Sequence, residues 1–184
     1  VDAFHELVDE MTTGKSSIRP AAVTRLKRTP WERSIEAAER NNKPGVFTAF
    51  IGFEWTQHVQ GNNQHRVVVF RDGAERAKQV LPFSAFDSVD PEDLWKYMAA
   101  YEDKTGGRVL AIPHNSNLSG GMMFRSTTWT GKPFDRKYVE TRARFERLVE
   151  TSQTKGDSET TPRLSPTDEF ANFERWDKAN LPSV

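Results

Sequence analysis

Short runs of apolar residues separated by polar segments predict four β-strands along the chain. Residues 46–55 are rich in aromatic and β-branched side chains and are apolar at nearly every position, which is typical of a strand buried on both faces. The next run, residues 65–70, follows a polar connection of nine residues, 56–64. Because this connection is short, we expect the two strands to form an antiparallel hairpin. The later runs 109–112 and 147–151 predict the other two strands.

Apolar residues at helical spacing predict helices around these strands. The clearest helix starts after Asp90, because Asp is a preferred N-cap and Pro91 suits the first helical position. Further helices are predicted over residues 1–11, 31–40 and 135–145 and from residue 165 onward, with a loop over 12–30. A helix followed by a buried strand is the repeating element of α/β folds. The sequence therefore predicts one α/β domain over residues 1–184, with some antiparallel pairing and long loops.

Composition excludes several classes of partner. The chain has 26 basic and 26 acidic residues and so no net charge, which is unlike the basic surface of a nucleic-acid-binding protein. No apolar stretch approaches the roughly 20 residues needed to span a bilayer, so we expect no membrane partner and a soluble protein of the cytoplasm or the periplasm. The absence of cysteine excludes disulfides and thiolate metal sites but leaves the compartment open, as the sequence does the oligomeric state.

Three potential metal ligands stand at the ends of predicted strands. Glu54 lies at the end of the run 46–55, His65 opens the next run, and His114 follows the run 109–112. Carboxylate and imidazole groups suit zinc, iron or manganese, and strand ends are where sites assemble in α/β folds. Three such ligands with one open position suffice to bind and activate a water. The alternative is that these are ordinary residues beside strands, since their spacing matches no compact ligand motif.

Polar residues near these ligands are candidates for substrate contacts. Asn115 and Asn117 follow the strand 109–112 and can orient a polar substrate or its phosphate oxygens. Alternatively, their amides bond to nearby backbone in a polar turn. His58 follows the first predicted strand and is expected to support a ligand or to contact substrate. We assign no role to His5.

A polar loop over residues 154–163 offers two candidates for catalysis. Lys155 can bind an anion, and Glu159 can act as a ligand or a general base. The alternative is that the loop is simply solvated.

Several stretches, taken in order, carry a family resemblance. They are Gly52–Thr56, Gly61–Val67, Ile112–Ser119, Lys155–Glu159 and Ser165–Phe170. Together they resemble an uncharacterised bacterial family of domains of unknown function, which is itself similar to the polymerase-and-histidinol-phosphatase (PHP) superfamily. The resemblance implies a distorted (β/α)₇ barrel with two or three divalent metal ions. It also implies hydrolysis by a metal-activated water, usually of a phosphoester.

The resemblance assigns ligand roles but also shows a departure. Glu54 matches the carboxylate that commonly bridges metals, His65 the histidine opening the following strand, and His114 a histidine after a later strand, where the usual order is His-Pro and here it is Pro113-His114. PHP proteins also carry a His-x-His pair and an Asp-x-His, and this chain contains neither. We therefore expect a fragment of a longer PHP-like barrel with an incomplete site for zinc, manganese or iron, and an isolated chain close to inactive.

Two alternatives to a phosphoesterase stay open. One is a non-catalytic binding or structural module that keeps a hydrolase-like scaffold. The other is hydrolysis of a different small-molecule bond, such as an amide or a sulfate ester.

Overall fold

The computed structural model describes residues 20–176 of the chain. The predicted helix over residues 1–11 and His5 lie outside this range. In chain order, the elements are α1 (Pro20–Asn41), β1 (Ile51–Trp55), β2 (His58–Val59), β3 (Asn62–Asn63), β4 (Arg66–Phe70), α2 (Ala74–Ala77), α3 (Pro91–Thr105), β5 (Val109–Pro113), a 3₁₀ helix (Ser116–Leu118), α4 (Arg136–Phe145), β6 (Ser152–Gln153) and β7 (Gly156–Asp157).

The strands form three small sheets. One has the order β1-β4-β5, and the others are the antiparallel pairs β2-β3 and β6-β7. The amide of Arg71 bonds to the carbonyl of Arg108 and that of His114 to the carbonyl of His65, so β4 and β5 are antiparallel. Within residues 20–176, none of the sheets closes into a barrel. The partial (β/α)₇ barrel stays a prediction.

Two predictions near the start of the described range are wrong. Residues 20–30, predicted as a loop, form the first half of α1, because the alanine, leucine, lysine and arginine content of this segment favours a helix despite Pro30. Residues 46–50, predicted as part of a strand, precede β1. A turn at Gly45, whose φ is +80°, bends the chain so that the amide of Lys43 bonds to the carbonyl of Phe47.

Two later predictions are also wrong. Residues 147–151 have no strand structure, although the amide of Glu150 bonds to the carbonyl of Pro113 beside β5. From residue 165 to the end of the described range the chain forms successive turns instead of a helix. There the Asp168 carboxylate accepts the amide of Phe170, a local bond that competes with helical hydrogen bonding.

Contacts divide the chain into two compact units. The first contains Val1–Phe53 and Val69–Val109. In its described part, the Trp31 ring packs 5.7 Å from that of Phe70, which in turn lies 4.8 Å from that of Tyr101 on α3. The predicted start of α3 is confirmed, since the Asp90 carboxylate accepts the amide of Glu92.

The second unit contains Glu54–Val68 and Leu110–Val184, and its described part holds every residue to which the sequence assigns a role. Its buried apolar side chains include Trp55, Val68 and Phe145. Beside them, the buried Arg66 guanidinium bonds to the buried carboxylate of Glu146 at 3.0 Å. Across residues 20–176, no helix is both long and apolar enough to cross a membrane.

Candidate metal centre

The three predicted ligands converge at the ends of their strands. Glu54 is the penultimate residue of β1, His65 directly precedes β4, and His114 directly follows β5. Each offers one ligand atom, and these atoms all lie within 4.8 Å of one another. The predicted convergence is therefore confirmed, whereas metal binding itself remains a prediction.

One carboxylate oxygen lies at the centre of this cluster. Oε1 of Glu54 is 2.8 Å from Nδ1 of His65 and 3.7 Å from Nε2 of His114. The side chains of the two histidines are only 7% and 11% exposed, whereas that of Glu54 is 43% exposed. The imidazoles are thus held by the protein interior, while the carboxylate lies at the open side of the cluster.

Strand pairing explains why these residues meet. The amide of His114 donates to the carbonyl of His65 at 3.3 Å, so the two residues lie opposite each other where β4 begins and β5 ends. The end of β1 lies beside the beginning of β4, as expected for the predicted hairpin, and this brings in Glu54.

A third histidine adjoins the cluster. Nε2 of His58 lies 2.7 Å from Nε2 of His65, so both ring nitrogens of His65 have partners. His58 is exposed and lies on β2. The structure thus places His58 in contact with His65; a role in supporting a metal ligand and a contact with substrate both remain predictions.

The pKa shifts of Glu54, His114 and His58 suit the binding of a cation. The hydrogen bond from His65 lowers the pKa of Glu54 to about 2, so this carboxylate is charged at neutral pH. Burial lowers the pKa of His114. Burial, followed by the nearby charges of His65 and Lys155, also lowers the pKa of His58. A charged carboxylate and neutral imidazoles are the forms that bind metal ions.

The two asparagines after His114 have different surroundings. Asn115 adopts a left-handed backbone conformation with φ of 56°, and its amide nitrogen donates to Glu150. Its side chain is fully buried, and its carboxamide finds no hydrogen-bond partner among residues 20–176. In contrast, the carboxamide of Asn117 donates to the carbonyl of Lys155 at 2.9 Å and accepts the hydroxyl of Ser158 at 3.0 Å. Asn117 thus connects the 3₁₀ helix to the segment that contains Lys155 and Ser158. Its predicted contact with substrate has no direct support.

The hairpin β6-β7 carries Lys155 to the same region. The side chain of Asn117 donates to the carbonyl of Lys155. In addition, the Glu150 carboxylate accepts hydrogen bonds from the backbone amide of Asn115 and from the side chain of Gln153 on β6. These contacts fasten the hairpin to the turn that follows His114, and the charge of Lys155 reaches His58.

The structure places Glu159 elsewhere. It is exposed, its amide bonds to Asp157, and in the described range it is not part of the ligand cluster. It lines a separate cleft of about 220 Å³ together with Ser152, Asp157, Thr160, Asp168, Phe170, Phe173 and Glu174. The predicted role of Glu159 in catalysis has no support from this position.

Sequence reasoning missed one residue of the centre. The sequence assigns Asn63 no role beyond its place in the polar connection 56–64, but its carboxamide contacts the backbone of both His65 and His114. The only available signal was its position two residues before His65, the spacing of an Asx turn.

Comparison with known proteins gives a family but no function. A family model described as a protein of unknown function (DUF3604) matches residues 2–184. No curated protein and no solved structure matches the chain.

Proposed function

We propose that this chain, which belongs to the DUF3604 family of proteins of unknown function, contributes Glu54, His65 and His114 to the metal centre of a metal-dependent hydrolase. The observation that carries the proposal is the convergence of their three ligand atoms within 4.8 Å. A carboxylate with two imidazoles is a donor set found in catalytic zinc sites, where three protein ligands leave one position open.

A simple ion pair accounts for only part of this arrangement. The bond between Glu54 and His65 is complete at 2.8 Å, yet a second imidazole, that of His114, faces the same oxygen at 3.7 Å. That distance is too long for a hydrogen bond. Two largely buried imidazoles directed at one carboxylate oxygen form a set of lone pairs that a divalent cation would satisfy together.

The surroundings support a phosphoester as the substrate class. A bound divalent cation would supply Lewis acidity toward a phosphoryl oxygen and would activate water for hydrolysis. Lys155 carries a positive charge on the hairpin fastened beside the cluster, which suits the negative charge of a phosphate. The carboxamide of Asn115 has no hydrogen-bond partner in the described range, but it is fully buried, so its predicted contact with substrate has no direct support.

Metal binding is the first test. Wild type is titrated with Zn²⁺ and Mn²⁺ by calorimetry, and bound metal is counted by elemental analysis after dialysis. Glu54→Gln, His65→Ala and His114→Ala are each expected to lower the affinity by more than about 100-fold, since loss of an outer partner alone typically costs 10–100-fold. His5→Ala, at the histidine to which no role is assigned, is the matched control and is expected to bind metal like wild type.

Turnover is the second test. We expect the 184-residue chain to hydrolyse p-nitrophenyl phosphate close to the background rate, because it lacks the His-x-His and Asp-x-His motifs of PHP-like centres. Chelator-sensitive turnover with stoichiometric metal would show instead that three ligands suffice. A wild-type chain that binds neither metal would reject the hydrolase and favour a non-catalytic module.

A further inference from the structure

The buried residue Asn63 meets the backbones of three histidines, two through its carboxamide and one through strand pairing. Its Oδ1 accepts the amide of His65 at 2.7 Å, and its Nδ2 donates to the carbonyl of His114 at 3.5 Å. Asn63 is also the antiparallel partner of His58 in the pairing of β2 with β3. The side chain is completely buried. One residue therefore contacts or pairs with each histidine of the centre.

The two bonds of this carboxamide differ in strength. The contact with His65 is short and closes an Asx turn, which holds the chain in one conformation where β4 begins. The contact with His114 is at the limit of a hydrogen bond and contributes less. The same two histidines are also joined by the backbone bond from His114 to His65, so Asn63 adds a second connection across the same pair.

We propose that Asn63 is a positioning residue that sets the separation and orientation of the His65 and His114 rings. Its Oδ1 fixes the backbone from which the His65 ring projects, and its Nδ2 holds the carbonyl of the residue opposite. The consequence for metal affinity rests on the proposed function, whereas the consequence for ring orientation does not.

The central experiment compares the loss of the Asn63 carboxamide with the loss of a buried hydrogen bond that involves no histidine. Asn63→Ala removes both the acceptor of the His65 amide and the weaker donor to the His114 carbonyl. Ser119→Ala is the matched control, because the buried Ser119 hydroxyl donates to the carbonyl of Ser116 at 2.7 Å and not to a histidine. Asn63→Ser keeps a neutral oxygen that can accept the His65 amide in a turn of the same kind, and it serves as the conservative variant. Zn²⁺ affinity is measured by calorimetry, and the ring ¹⁵N resonances of the histidines are recorded by NMR in the metal-free protein.

We expect Asn63→Ala to bind Zn²⁺ about 10–100-fold more weakly than wild type, the usual effect of losing a residue that supports a ligand. Ser119→Ala is expected to stay within a factor of a few of wild type, and Asn63→Ser is expected to lose less affinity than Asn63→Ala. Asn63→Ala with unchanged affinity, or an equal loss in Ser119→Ala, would overturn the inference while leaving the proposed function intact.

The NMR measurement decides the remaining cases. If wild type binds no metal, the proposed function fails, but Asn63→Ala is still expected to shift the ring resonances of His65 and His114 relative to Ser119→Ala. Unchanged resonances would reject the positioning role. If Asn63→Ala does not fold, Asn63→Ser decides: retention of the His65 ring resonance supports the inference, and its loss in a folded protein overturns it.

Discussion

The rings of His58 and His65 meet nitrogen to nitrogen, with the two Nε2 atoms 2.7 Å apart. One of these atoms must carry the proton and the other the lone pair. If Nδ1 of His65 donates to Glu54, then Nε2 of His65 accepts from His58. Metal binding at Nδ1 requires the opposite tautomer, in which Nε2 of His65 donates and His58 accepts. The contact with His58 is therefore compatible with either tautomer of His65.

This relationship predicts the behaviour of variants at position 58. His58→Ala is expected to lower Zn²⁺ affinity about 10-fold or more, because the orientation and tautomer of His65 lose their support. His58→Gln retains an acceptor and is expected to recover part of the affinity. Because His58 is exposed, the free energy of unfolding should change by only about 0.5 kcal/mol. Calorimetric titration and urea unfolding measure the two effects.

Two outcomes would contradict this role of His58. Wild-type affinity in His58→Ala would mean that the contact is incidental. A loss as large as that in His114→Ala, with no recovery in His58→Gln, would mean that His58 is itself a ligand.

A buried ion network beneath the centre gives a prediction about stability. The Glu146 carboxylate accepts hydrogen bonds from Nε of Arg66 at 3.0 Å and from Nε of Arg142 at 3.2 Å. The side chain of Glu146 is only 2% exposed. Glu146→Gln leaves the fully buried Arg66 without a charged partner, and the expected loss in the free energy of unfolding is about 3–5 kcal/mol.

An exposed pair in α4 provides the control for Glu146. Arg136 and Glu140 lie 2.7 Å apart with side chains 91% and 63% exposed. Glu140→Gln is therefore expected to cost less than about 1 kcal/mol. Both variants are compared with wild type by chemical denaturation followed by circular dichroism. Similar losses in the two variants would show that burial does not control the contribution of the Glu146 network.

The positions of the ligands can be predicted from the sequence because apolar runs mark the strands that carry them. Glu54 and His65 border runs separated by a short connection, so a hairpin brings them together, and His114 borders the strand that pairs with β4. The contributions of His58 and Asn63 depend on the register of β2 with β3, and turn residues in the sequence do not specify that register.

Around the hairpin β6-β7, closeness in sequence is a poor guide to which residues share a site. Lys155 and Glu159 stand four residues apart in one polar segment, yet they belong to different surroundings. The carbonyl of Lys155 bonds to Asn117 near the metal centre, whereas Glu159 lines the separate cleft. Reversal of the chain at β6-β7 separates them, and a turn of this kind has no apolar pattern from which its direction can be inferred.

The stability of the β6-β7 hairpin is expected to depend strongly on the absence of a side chain at Gly156. Its φ is +104°, and a Cβ there would lie 2.8 Å from the backbone nitrogen of Trp176. Gly131 has a similar φ of +82° but open space around it. Gly131→Ala is expected to cost about 1–2 kcal/mol from backbone strain alone. Gly156→Ala should cost about 1–3 kcal/mol more, because overpacking is added. Thermal unfolding of the two variants measures the difference, and equal losses would mean that the neighbouring backbone moves freely.

The lowered pKa of Asp72, in the first unit, leads us to expect a loss of folding stability in acid. Burial alone would raise the pKa of Asp72, but the amide of Arg108, the guanidinium of Arg76 and the hydroxyl of Tyr101 hold this pKa below the usual 3.8. A carboxylate with a lowered pKa stabilises the folded state above its unfolded pKa, and this contribution is lost as the pH falls through the lower folded value. Stability should therefore drop below about pH 4, and Asp72→Asn should reduce that drop because the side chain no longer titrates. Asp103→Asn, at an exposed carboxylate, is the control. Urea unfolding between about pH 6 and about pH 2.5, a range that brackets the usual pKa of an aspartate, measures the slopes. Equal slopes in wild type and Asp72→Asn would show that this hydrogen-bonded carboxylate is not linked to folding.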